Sequence, residues 1–95
     1  METILVVEDD PSIQRGLELN LQVEGYSVFT AGDGETGLQK AIEHKPDVIL
    51  LDVMLPKLSG FDLCRQLRKQ GMTMPIIMLT AKTQEIDKIM GLELG

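Results

Sequence analysis

The chain has 95 residues, 43% of them hydrophobic and 25% charged, which suits one small globular domain (1–95) and not a disordered protein. A net charge of −6 with no lysine or arginine cluster argues against nucleic acid as a partner of this chain. No apolar run approaches the ~18 residues of a membrane span, and Met1-Glu2-Thr3 is not the start of a signal peptide, so no membrane role is expected. Cys64 is the single cysteine, which points to a reducing, cytoplasmic setting.

Taken in order, Thr3 to Val7 is a short apolar run rich in β-branched residues, which fits a strand covered on both faces. Glu8-Asp9-Asp10 follows, with Asp10 placed to cap a helix and Pro11 suited to its first turn. Ile13, Leu17 and Leu21 through Val23 form the apolar stripe of helix 1, which runs to about Glu24 and stops at Gly25. Tyr26 to Ala31 reads as strand 2, nearer a sheet edge. Gly32-Asp33-Gly34 is turn chemistry, with Asp33 as a cap. Leu38, Ala41 and Ile42 give the expected buried stripe of helix 2, which stops before Pro46.

Strand 3 is Asp47 to Leu51, closed by Asp52. Helix 3 runs from about Gly60 to Lys69, with Leu63 and Leu67 on one face and Phe61 and Cys64 beside them, and it stops at Gly71. Pro75 opens strand 4, Ile76 to Leu79. Thr83 caps a fourth helix with Ile86, Ile89 and Met90 as its stripe. Strands alternating with helices predict an α/β fold on a parallel sheet with right-handed crossovers.

In such a sheet the C-terminal ends of the strands share one edge, where ligands bind. Strand 1 delivers Glu8 and Asp9, strand 3 delivers Asp52, and strand 4 delivers Thr80. Carboxylates crowded together repel one another unless a cation is present. Mg²⁺ takes oxygen ligands and keeps several waters, so Asp9 and Asp52 serve as direct ligands, Glu8 through water, and the Met54 backbone carbonyl as a further oxygen. The lone His44 and Cys64 make zinc a poor fit. Beside such a metal, Asp52 is either one member of a structural acid cluster or a nucleophile that takes a phosphoryl group. In the second case the Thr80 hydroxyl and the Ala81 N–H supply further donors. Spacing alone leaves both open.

Ile4-Leu-Val-Val-Glu-Asp-Asp10, Asp52-Val-Met-Leu-Pro-Lys-Leu-Ser-Gly-Phe-Asp-Leu-Cys64 and Pro75-Ile-Ile-Met-Leu-Thr-Ala-Lys82 together resemble the receiver domain of bacterial two-component response regulators, in the class that carries a winged-helix transcription-factor output. The resemblance implies a flavodoxin-like three-layer fold with strand order 2-1-3-4, and a signalling module in place of an enzyme. It implies that Asp52 accepts a phosphoryl group from a sensor histidine kinase and that Glu8, Asp9 and Asp52 hold Mg²⁺. Thr80 would be the switch hydroxyl, Ala81 the small residue beside it, and Met54 and Lys82 the positions that tune dephosphorylation.

The family's fifth strand and helix, with a lysine that pairs with the phosphoryl group, fall beyond Gly95. One expectation is therefore self-association through strand 4 and an uncovered sheet face. An alternative is a truncated receiver that binds metal but cannot be switched. A phosphatase of the haloacid-dehalogenase type needs an acid two residues after its nucleophile, where this chain has Met54. A flavin protein needs a hydroxyl-rich loop after strand 1, where this chain has three acids.

Overall fold

The structure, a computed structural model, describes residues 2–53, 55 and 58–79. Its elements are β1 (Thr3–Val7), α1 (Pro11–Val23), β2 (Ser27–Ala31), α2 (Gly34–His44), β3 (Val48–Asp52), α3 (Gly60–Lys69) and β4 (Ile76–Leu79). The expected fourth helix lies outside the described residues. The sheet is parallel throughout, in the order β2-β1-β3-β4, as the resemblance implied.

Local chemistry sets the element ends. Asp10 accepts from the Ser12 and Ile13 N–H groups, Asp33 from Thr36 N–H, and the Ser59 hydroxyl from Asp62 N–H, so α1, α2 and α3 each have a side-chain N-cap. Gly25 and Gly71, at φ 100° and 85°, take left-handed backbone just past α1 and α3. Lys45 does the same after α2 at φ 48°, although it carries a side chain.

Register builds the core. Leu5, Ile49 and Ile76 form one row across β1, β3 and β4, and Val7, Leu51 and Met78 form the next. Ala41 of α2 and Leu63, Cys64 and Leu67 of α3 close over these rows, all buried. Strand alternation turns Ile4 and Val6 to the other face, and α1 packs against β1 and β2.

Two expectations change. Ile42 is 41% exposed and Val23 is 83% exposed. The buried line of α2 is Gly34, Gly37 and Ala41. A Cβ on Gly37 would lie 3.0 Å from Val7 Cγ2, so the helix axis approaches the sheet through small residues and turns Ile42 outward. The periodicity of large apolar residues hides that line. In α1 no residue is fully buried, and Val23 sits on the last turn. Boundaries also shift slightly: β2 starts at Ser27 in place of Tyr26, β3 includes Asp52, and α1 ends at Val23.

Candidate functional site

The register that builds the core also gathers the acids. Val7 pairs with Leu51, so the next residue on each strand, Glu8 and Asp52, comes out level at the C-terminal edge. Adjacent strands lie about 4.8 Å apart, a spacing that puts neighbouring strand-end carboxylates within reach of one ion. Glu8, Asp9 and Asp52 each offer a carboxylate oxygen, and these oxygens all lie within 4.8 Å of one another. Glu8 and Asp52 are buried, at 5% and 7% exposure, while Asp9 opens to solvent.

The crowding has an electrostatic cost. Two unit charges at about 4 Å repel by roughly 4 kcal/mol at the effective dielectric of a protein surface. The Glu8 carboxyl is raised from its ordinary 4.5 to about 7, and burial is the largest cause. The Asp10 N–H, 3.0 Å from Glu8 Oε2, pulls it the other way. The charges of Asp52 and Asp9 push up again, and a hydrogen bond between the Glu8 and Asp52 side chains adds to the rise. Crowded carboxylates of this kind hold on to protons more strongly unless a cation neutralises them.

The backbone of Glu8 and the turn after Asp52 are tied to neighbouring elements. Glu8 N–H donates to Ala31 O at 3.0 Å. The Gln14 side-chain amide, on the first turns of α1, donates to Glu8 O at 2.9 Å and to Ala31 O at 3.1 Å. Asp52 is held from below by α3, because Gly60 N–H donates to Val53 O at 3.0 Å. A Cβ on Gly60 would meet Asp52 O at 2.6 Å.

The donor set is hard oxygen only, which fits Mg²⁺ or a similar cation and not zinc. His44 stacks on Phe29 with ring centroids 4.0 Å apart, and Cys64 is buried in the core, so neither joins the acids. Of the residues expected at the site, Glu8, Asp9 and Asp52 come together. Met54, Thr80, Ala81 and Lys82 lie outside the described residues, although β4 pairs Leu79 with Asp52 and so aims its end at the same edge. Gln14 was not legible in advance, because a single glutamine on a helix carries no pattern.

The model of the response regulator receiver domain matches residues 4–95. The chain belongs to this family. As a receiver it is 59% identical over 92 residues to the alkaline phosphatase synthesis transcriptional regulatory protein PhoP of Bacillus subtilis, a match covering 97% of this chain and 38% of that protein. The chain thus spans well under half the length of that relative. Chemotaxis protein CheY4 of Vibrio cholerae superposes with a TM-score of 0.82 at 39% identity, over 93% of this chain and 75% of that one. The response regulator TrrA of Thermotoga maritima, solved in complex with Mg²⁺ and BeF, superposes at 0.81 with 38% identity, over 93% of this chain and 76% of that one. Receiver membership and the flavodoxin-like fold therefore hold as the sequence implied. No helix among the described residues is long and apolar enough to cross a membrane.

Proposed function

We propose that this receiver is the phosphoacceptor module of a cytoplasmic two-component phosphorelay, taking a phosphoryl group from a sensor histidine kinase onto Asp52. One observation carries the reading: Glu8, Asp9 and Asp52, from the ends of two paired strands, converge within 4.8 Å. Mg²⁺ held by these acids, with the Met54 carbonyl as a further ligand, would neutralise phosphoryl oxygens during transfer. An Asp52 carboxylate oxygen attacks phosphorus, the P–N bond to the kinase histidine breaks, and the freed imidazole nitrogen takes up a proton. The product is an acyl phosphate on Asp52. Thr80 and Ala81 follow directly on β4 and are the proposed donors to the transferred oxygens.

Glu8 contributes by position. It is buried beside Asp52, whose charge helps to raise the Glu8 carboxyl. The transfer is a single event and not turnover of a substrate, so the chain is a signalling module and not an enzyme. Incubation with Mg²⁺ and acetyl phosphate, followed by intact mass measurement, tests this. A phosphoryl adduct absent from Asp52→Asn supports it, and no adduct on the parent protein favours a receiver that binds metal without being switched.

A second reading concerns association of the chain with itself. Among the described residues the sheet has two outer strands, β2 and β4. On β2, Lys40 Nζ donates to Thr30 O at 2.5 Å. Because Ala31 O faces β1, Thr30 O faces outward, so a lysine guards that edge. β4 is therefore the strand we propose for self-association. A monomer in sedimentation at micromolar concentration contradicts it.

A further inference from the structure

We propose that Gln14 is a positioning residue for the acid site: its side-chain amide ties the backbone of Glu8 to the end of β2 and so pre-sets Glu8 and Asp9 for a divalent cation. The inference rests on the reading of Glu8, Asp9 and Asp52 as a cation site.

The geometry is specific. A glutamine amide has two N–H donors, and here Nε2 reaches two carbonyls, Glu8 O at 2.9 Å and Ala31 O at 3.1 Å. Ala31 O also accepts from Glu8 N–H at 3.0 Å. Both backbone polar groups of Glu8 are thus engaged, and both partners belong to other elements. The Gln14 main chain closes the other end, donating its N–H to Asp10 O at 2.9 Å. Asp10 in turn gives its N–H to Glu8 Oε2 and caps α1 through its carboxylate. Asp9 therefore hangs between two residues that one side chain and its own backbone hold in place.

Such a tie has a purpose that packing does not need. Three carboxylates within 4.8 Å push each other apart, which favours relaxation of the segment between β1 and α1 that carries Glu8 and Asp9. Holding Glu8 O against β2 resists that relaxation before any cation arrives, and preorganisation of this kind raises affinity by lowering the cost of ordering.

The test is Gln14→Met, which keeps length and removes both donors, with Mg²⁺ affinity measured by calorimetry and amide hydrogen exchange recorded without metal. We expect Mg²⁺ affinity to fall about three- to tenfold and exchange to quicken at the Glu8, Asp9 and Asp10 amides, with β3 and β4 amides unchanged. Gln14→Asn, polar and one methylene too short to span both carbonyls, should reproduce the loss should the methionine variant fail to fold. Gln14→Arg, which again offers two donors, should restore slow exchange at Glu8. Unchanged Mg²⁺ affinity in both Gln14→Met and Gln14→Asn, or exchange that quickens evenly across the sheet, overturns the proposal. Absence of Mg²⁺ binding by the parent protein overturns the cation site itself, a result distinct from binding that ignores Gln14.

Discussion

Gly60 lies so close to the backbone of Asp52 that a Cβ there would sit 2.6 Å from Asp52 O and 3.0 Å from Val53 Cα. The start of α3 is thereby pressed against the end of β3. The helix that closes the core also sets the height of the candidate nucleophile. Gly60→Ala must move one of these backbones, because neither contact is the far end of a flexible side chain. Overpacking of this kind costs about 1–3 kcal/mol. Urea unfolding should show that loss together with a lower yield of acyl phosphate. A variant within about 0.5 kcal/mol of the parent would mean α3 can slide freely.

The raised Glu8 carboxyl makes stability depend on pH in a direction opposite to a salt-bridged acid. In the folded protein Glu8 holds its proton up to about 7, against an ordinary 4.5 when unfolded. Between these values the folded state binds more protons, so metal-free stability should fall as pH rises, and level off above about 7. The ceiling is about 3 kcal/mol. Mg²⁺ should stabilise most above that range and bind more weakly below it, where it competes with the proton. Glu8→Gln should flatten the metal-free slope in denaturant titrations at several pH values. A slope that survives the substitution assigns it to another group.

Lys45 is a non-glycine residue in left-handed backbone, at φ 48°. Its N–H still closes α2 by donating to Ala41 O at 2.9 Å, so the conformation is needed and the side chain is not. Left-handed backbone costs an L-residue about 1–2 kcal/mol, and glycine returns part of that through the entropy of its unfolded chain. Lys45→Gly should therefore stabilise by about 0.5–1 kcal/mol in thermal or chemical unfolding. Destabilisation would show that the lysine side chain makes a contact worth more than the strain.

Leu67 is fully buried in an aliphatic core cluster that includes Ile49, Leu51 and Met78. Leu67→Ala should cost about 2–5 kcal/mol, a large part of the stability of so small a domain. Loss below about 1 kcal/mol in urea titration would mean the neighbouring methionines repack into the space.

Much of this was readable from residue order. Caps at Asp10 and Asp33, punctuation at Gly25 and Gly71, and apolar runs at residues 3–7 and 48–51 placed the elements because their signals are local. The meeting of Glu8, Asp9 and Asp52 was readable because parallel strands share an end. Ile42 was misread because its helix is buried along glycines and an alanine, and small residues leave no hydrophobic signal. Gln14 and Gly60 were not legible as site residues. Their roles depend on carbonyls of other strands, Ala31 O and Asp52 O, whose directions follow only from the folded register.

Phosphorylation of Asp52 is tested by chemical mapping of the modified residue. The protein is treated with Mg²⁺ and acetyl phosphate, reduced with borohydride, digested and sequenced by mass spectrometry. Borohydride converts an aspartyl phosphate to homoserine, and conversion is expected at position 52 alone, dependent on Mg²⁺ and reduced in Glu8→Gln. Conversion at Asp9, Asp10 or another acid with Asp52 intact, or no conversion at any acid, would contradict it.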